Sequence, residues 1–483
     1  MKLLLPALFL LSAVLADTAA HAAPQGSELP ELGDSVSSAI SPAQEYRLGR
    51  AWMRQLRGRT STVGDPVVQD YLERLSYRLA FNSPLQQPDL SLVIIRDRSI
   101  NAFAVPGGVI GVNVGLLLNA ETEAELASVL AHELGHLSQR HFARQLAESK
   151  QNQWVYLAGF LSTIALAAAG DGQGAVALGM STQAAMIDKR LSYSRQYEQE
   201  ADRIGLQTLA GAGMDPNAMP TFFQRMERQS RMAGAVPEFL LTHPLTGSRI
   251  ADTITRAQRF PRKLAQDSLD YQLARVRFRV QFASEGNVVP VFQRQLAGVD
   301  PKTDRARINR LGLALAHLRE RQYDKATEAI APLLAEEPQR ADYVAVAAEI
   351  ELAQRNYAAA VQLLEPALAV NPESYPMLMY YARARIANGQ PGAAITRLEA
   401  AARERSDDAQ IWRQLIDAYT QDKNALGVYR SRAEVYYLNG DDEKALEQLR
   451  LAADSVKGNY PMTAKLQKRM REIEQEKEAL KKL

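Results

Sequence analysis

The stretch Ala127-Ser128-Val129-Leu130-Ala131-His132-Glu133-Leu134-Gly135-His136-Leu137 decides how this chain is read. It is an apolar helical run that carries two histidines four apart, and residues four apart share one face of an α-helix. His132 and His136 can therefore offer imidazole nitrogens to one Zn²⁺ while Glu133 reaches a water there, the H-E-x-x-H pattern of zinc hydrolases. A core helix that merely happened to contain these residues would bury two imidazoles and a carboxylate without partners, at a cost. Three of the six histidines of the chain fall between positions 132 and 141. The motif supplies two ligands and a base, so a third ligand must come from elsewhere.

Thr122 and Glu125 form a capping-box pattern at the start of this helix, and Leu126, Val129, Leu130, Leu134 and Leu137 give it an apolar face. Upstream, helical patterns run through Glu45 to Arg57 and Val67 to Leu79. A strand pattern follows at Leu90 to Ile95, and two more, Ala102 to Val105 and Val109 to Asn113, flank the turn Pro106-Gly107-Gly108. Downstream, a helix from Leu191 to Ala210, stopped by Gly211, Gly213 and Pro216, holds Tyr197-Glu198-Gln199-Glu200-Ala201-Asp202. Glu198 and Asp202 share a face, and Glu200 points elsewhere. A carboxylate ligand plus a second carboxylate that orients a ligand imidazole is the His₂Glu arrangement with its outer shell. Taken alone, the same residues read as an exposed acidic turn.

The 483 residues exceed one ordinary core and suggest about two to four domains. A net charge of +2 with no basic block or stripe excludes nucleic acid as a partner. Met1-Lys2, the apolar run Leu3 to Leu15 and Ala20-His21-Ala22 have the order of a secretory signal, with cleavage expected after Ala22 and a flexible leader over 23–41. The absence of cysteine removes disulfides, a thiol nucleophile and a lipidated cysteine, and export without an anchor suggests a bacterial periplasm. Trp154 to Met180 is too short and too rich in Gly and Ala for a membrane span, and reads as a helical hairpin. Core packing and peripheral membrane contact both stay open for it.

Beyond Asp304 the chain repeats. Tyr323 and Tyr357 lie 34 residues apart, as do Ala314, Ala348 and Ala382, then Ala326, Ala360 and Ala394, and Pro338 and Pro372. That is the tetratricopeptide period, two helices per unit, stacking into a concave binding surface. Pro391 and Ser406 make the third unit degenerate, and Ala433 with Ala445 suggests a further unit after an insertion. Lys465 to Leu483 reads as a solvated capping helix. The expected fold is mainly α (α+β): a metallopeptidase domain with a small sheet over 42–260, a helical linker over 261–303, and an α-solenoid of repeats over 304–483.

Four stretches together resemble the membrane-associated zinc metallopeptidases that include the CAAX prenyl proteases and the HtpX heat-shock proteases. They are Asn101 to Gly108, His132 to His136, Glu198 to Asp202, and Thr242-His243-Pro244 with Arg249 and Ile250. With a signal sequence ahead and repeats behind, the chain looks like the periplasmic branch of that family. The resemblance implies that Glu198 is the third zinc ligand and that His243, on a loop over the cleft, is a regulatory fourth ligand. It also implies a zinc-dependent endopeptidase with chaperone-like activity that promotes assembly of outer-membrane β-barrel proteins and degrades stalled ones. The repeats would meet the clients and the outer-membrane assembly machinery. Glu133 is expected as base, Asp202 as orienting group, and Asn101, Ala102, Phe103, Ala104 and Arg249 as substrate-binding candidates. Arg249 could equally pair with a carboxylate. The competing reading is a non-proteolytic chaperone or adaptor whose metal site is a latch.

Overall fold

Two helices precede the sheet, each started by a side-chain cap. Helix α1 (Pro42–Arg59) follows Ser41, which closes a capping box with Gln44. Helix α2 (Pro66–Ala80) follows Asp65, whose carboxylate accepts the N–H groups of Val67 and Val68; a proline stands at the first position of both. The computed structural model describes residues 40–86, 88–149, 193–233, 237–261, 267–283 and 286–481. The expected signal sequence, nearly all of the leader, and the Trp154 to Met180 hairpin lie outside the described residues.

Strands β1 (Ser91–Ile95), β2 (Ala102–Val105) and β3 (Val109–Asn113) form one sheet in the order β1-β3-β2, with β1 parallel and β2 antiparallel to β3. Gly107 and Gly108 both take positive φ, 78° and 79°, to close the hairpin. The side chains alternate between two cores. Leu92, Ile94, Ala102, Ile110 and Val112 join the cluster of α2 and the motif helix, while Val93, Ile95, Val105 and Val109 join that of α1. β2 is an edge strand. The Asn113 N–H donates to the Asn101 carbonyl at 3.0 Å, which makes 101/113, 103/111 and 105/109 the bonded pairs and turns the backbone groups of Ala102 and Ala104 outward.

After α3 (Val114–Asn119) comes the motif helix α4 (Glu123–Ser138), then α5 (His141–Glu148), α6 (Arg195–Gly211), α7 (Ala218–Ala233), α8 (Glu238–Thr242) and α9 (Gly247–Ala257). Only half of the expected capping box forms. The Thr122 hydroxyl accepts the Glu125 N–H at 3.2 Å, but the Glu125 carboxylate accepts the Glu121 N–H and pairs with Arg225. Helix α4 crosses α6 at small residues. A Cβ on Gly135 would lie 2.9 Å from the Ala201 carbonyl oxygen, and one on Gly205 would lie 3.2 Å from the His132 nitrogen. That close approach sets His132 and His136 opposite Glu198 and Asp202.

Helices α10 (Leu269–Gln281) and α11 (Val289–Leu296) lead into five helix pairs: α12 (Asp304–Arg319) with α13 (Tyr323–Glu336), α14 (Ala341–Ala353) with α15 (Tyr357–Val370), α16 (Tyr375–Ala387) with α17 (Pro391–Glu404), α18 (Ala409–Gln421) with α19 (Ala425–Leu438), and α20 (Asp442–Ser455) with α21 (Tyr460–Lys481). The six periodic alanines are fully buried where helices cross. Arg321, Arg355, Gly389 and Lys423 take positive φ at one turn position, spaced 34 residues apart. Gly440 repeats that turn half a period after Lys423, and Ala433 and Ala445 flank it in one cluster as Ala314 and Ala326 flank Arg321, so the last unit of this type follows an inserted helix, as expected. The terminal helix is also more than a solvated cap. It buries Leu466 and Ile473 against α19 and α20.

The repeats curl back onto the first two helices. Arg54 of α1 donates to the Tyr437 carbonyl at 2.7 Å and pairs with Asp442, and Arg405 pairs with Glu73 of α2 at 2.8 Å. Arg277 of α10 is buried against Asp65 at 2.6 Å, the Tyr380 hydroxyl at 2.7 Å and Glu349. Among the described residues no helix is long and apolar enough to cross a membrane.

Candidate metal centre

Four side chains converge between α4, α6 and the end of α8. His132, His136, Glu198 and His243 each direct one nitrogen or oxygen to a common point, and these atoms all lie within 4.8 Å of one another. All four are at most 3% exposed. His132 Nε2 lies 3.1 Å from His136 Nε2 and 3.3 Å from His243 Nδ1; Glu198 Oε1 lies 3.0 Å from His243 Nδ1 and 3.5 Å from His136 Nε2. Phe239 delivers His243. Its N–H donates to the Ile100 carbonyl at 3.1 Å, its carbonyl accepts the His243 N–H at 2.8 Å, and its buried ring stacks on the imidazole at 4.8 Å.

The far side of each imidazole decides which nitrogen carries the proton. His132 Nδ1 faces Asp202 Oδ1 at 3.0 Å in an ion-pair contact, which favours its proton on that nitrogen. His243 Nε2 faces Glu133 Oε1 at 3.5 Å. His136 Nδ1 lies 2.9 Å from His141 Nδ1, and His141 Nε2 faces Glu200 Oε2 at 3.3 Å. A carboxylate only accepts, so His141 carries its proton on Nε2 and takes that of His136 on Nδ1. Toward the centre, His243 Nδ1 donates to Glu198 Oε1 at 3.0 Å, a proton that a bound cation would replace, so that all three imidazoles could present a lone pair to it.

Arg249 is wholly taken up by this centre. It forms a two-point pair with Asp202 at 2.8 Å, meets Glu198 Oε2 at 2.7 Å and donates to the Pro244 carbonyl at 2.9 Å. At 1% exposure it has no face for a substrate, which corrects the substrate-binding expectation in favour of the carboxylate pair. Phe103 is corrected too. Its ring covers Gly111 and meets Trp52 edge-on at 5.2 Å, on the sheet face opposite Ala102 and Ala104. Asn101 is buried, with its carbonyl in the sheet. The Ala104 N–H donates to Glu133, which ties the outward edge of β2 to the motif.

Electrostatics follow from burial and pairing. Burial opposes charge on His132, but Asp202 and Glu198 outweigh it and hold its pKa up at about 9. Burial carries His136 well below the usual imidazole range and His141 down to about 4. Burial also raises the Glu133 carboxyl, whereas at Glu198 and Asp202 it is outweighed, by His243 and His132 for the first and by Arg249 and His132 for the second, so both lie below the usual range.

These residues fit a metal ion on three counts. Four-coordinate zinc with bonds of 2.0–2.1 Å needs ligand atoms about 3.3 Å apart, and the four separations above run from 3.0 to 3.5 Å within a set that spans at most 4.8 Å. Three imidazole nitrogens face one another with a carboxylate oxygen among them, a donor set that one cation would satisfy together. The buried carboxylates Glu133, Glu198 and Asp202 face one buried guanidinium, Arg249, a formal excess of two negative charges that a divalent ion would balance.

Sequence reading left out His141 and set Glu200 aside; the signal was the crowding of three histidines into ten residues. Residues 66–257 match the model of peptidase family M48, and residues 351–416 match a tetratricopeptide repeat. A putative beta-barrel assembly-enhancing protease of Vibrio cholerae is 37% identical over 325 residues, 67% of this chain and 66% of that protein. The beta-barrel assembly-enhancing protease of Escherichia coli K12 is 36% identical over the same shares. The match thus spans just under two thirds of those relatives. Mitochondrial metalloendopeptidase OMA1 of Schizosaccharomyces pombe is 33% identical over 180 residues, 37% of this chain and 50% of that protein. Motif, donor set and likeness agree, and the chain belongs to peptidase family M48, the metal-dependent endopeptidases.

Proposed function

We propose that this chain is an exported, zinc-dependent endopeptidase that works in the periplasm on unfolded outer-membrane β-barrel proteins, promoting their assembly and degrading those that stall. The observation that carries the reading is the convergence of three imidazole nitrogens and a Glu198 oxygen beside Glu133. The printed names of the relatives support the client class, and the repeats support a surface that holds it.

His132, His136 and Glu198 would hold the zinc, with Asp202 orienting His132. Zinc, when bound, supplies Lewis acidity for addition of water to a peptide carbonyl. Glu133 takes the proton of the attacking water and returns it to the departing amine. The Ala104 N–H fixes the Glu133 carboxylate, so base and strand edge form one unit. An extended client segment pairs with the outward backbone of Ala102 and the carbonyl of Ala104 by β-augmentation, which reads main chain and so selects unfolded segments. His243 keeps the centre shut, with Nδ1 at the fourth ligand position and Nε2 toward the base. Cleavage requires the loop 237–246 to lift.

That shut geometry also favours the second reading, in which the repeats hold clients and the metal site latches without cutting. Glu133→Gln in the full chain separates the two. It should keep metal and fold while cleavage of an unfolded barrel precursor falls by about 10²–10⁴-fold. Cleavage at the wild-type rate would overturn the mechanism. His243→Ala should raise basal proteolysis, and a variant without any would favour the latch alone.

A further inference from the structure

The two histidines of the motif are held from outside in different ways. His132 Nδ1 meets the Asp202 carboxylate directly, at 3.0 Å, and Arg249 clamps that carboxylate. Among the described residues His136 Nδ1 meets no carboxylate; it meets His141, at 2.9 Å, and behind His141 stands Glu200, paired with Arg144 at 2.9 Å.

The backbone is bent to make this contact. In a continuous helix residue 141 would sit about 140° round from residue 136. Arg140 instead takes the left-handed conformation, φ 50°, which ends α4 and restarts the chain as α5 at His141. The His141 ring then turns back onto His136. It is fully buried and stacks on Tyr197 at 4.5 Å, while Tyr193 stacks on His136 at 4.2 Å.

We infer that His141 and Glu200 are positioning residues for His136, a relay that holds its proton on Nδ1 and aims its Nε2 lone pair at the metal. His141 accepts from His136 and donates to Glu200, so the carboxylate acts at one remove, as Asp202 acts directly on His132. The inference rests on the metal reading of the centre.

Replacing His141 by Phe keeps the ring stack and removes both hydrogen bonds, whereas Gln loses the stack and keeps an acceptor and a donor. The measurement is Zn²⁺ affinity of the metal-stripped full chain, by competition with a chromophoric chelator, with the visible absorption of the Co²⁺-loaded protein as a second readout. The expected result is a loss of about 10–100-fold for His141→Phe and within about threefold for His141→Gln. The Co²⁺ spectrum should shift in the Phe variant alone. Wild-type affinity with Phe, or Gln no better than Phe, would overturn the relay in favour of mere packing. Glu200→Ala, at a partly exposed position, should fall between the two variants; unchanged affinity there would overturn the outer half. If the wild-type chain takes up no Zn²⁺, it is the metal reading that fails.

Discussion

Two buried polar clusters dominate this molecule, and they are built on opposite rules. Around Arg277, at the junction of the peptidase domain with the repeats, a guanidinium donor meets the acceptors Asp65, Glu349 and the Tyr380 oxygen. Around His132 and His136, three imidazole nitrogens and a carboxylate oxygen face one another, and the far sides of the rings meet Asp202, His141 and Glu133. The first cluster is complete by itself and joins parts of the fold. The second gathers a donor set that one cation would satisfy together, and the fold around it, from the Gly135 crossing to the Arg249 clamp, holds it open for one. Burial of charge alone therefore does not mark a functional site; the convergence of ligand atoms does.

The largest expected effect tests the junction. Arg277→Met leaves the buried Asp65 and the partly buried Glu349 without their cation, and should cost about 3–5 kcal/mol in denaturant unfolding while Zn²⁺ affinity stays at the wild-type value. A smaller effect tests the centre. Asp202→Asn should weaken Zn²⁺ binding about 10–100-fold, or about 1.4–2.7 kcal/mol, with little change in how the repeats unfold. If either substitution moves both readouts equally, the two clusters are not separate devices. The smallest effect concerns Asp342, beside the junction. Burial, opposed by Arg340 and helped by Asp270, pushes its carboxyl up to about 6. A raised carboxyl disfavours the folded state once it ionises, so this penalty is absent below about pH 4, grows as pH rises from about 4 to 6, and is complete above that. Asp342→Asn should thus stabilise the chain by about 1 kcal/mol at pH 7 and not at pH 4; equal gains at both would exclude the titration.

Much of this was legible in the sequence, for physical reasons. H-E-x-x-H and E-x-x-x-D are set by the helix period, so His132, His136, Glu198 and Asp202 could be placed on faces before any fold was known. The alanines at 34-residue steps mark crossings that tolerate no larger side chain. Ile416 and Val428 stand one period after Ala382 and Ala394, whereas Ala433 and Ala445 flank the turn at Gly440, so the alanines place the shift in register that the helices then show. The misses are tertiary. Phe103 lies in the substrate-like stretch, but strand alternation gives it to Trp52. His141 meets His136 only because Arg140 takes a conformation that no spacing rule foresees. The return of the repeats onto α1 depends on single arginines such as Arg54, ordinary surface residues by sequence.

X-ray absorption at the zinc edge of the stoichiometrically loaded full chain tests the central claim most directly. The account predicts four nitrogen or oxygen neighbours at about 2.0–2.1 Å, with outer-shell scattering from three imidazoles that falls to two in His243→Ala. Scattering from two imidazoles in the wild-type chain, unchanged by His243→Ala, or a chain that retains no metal, would contradict it.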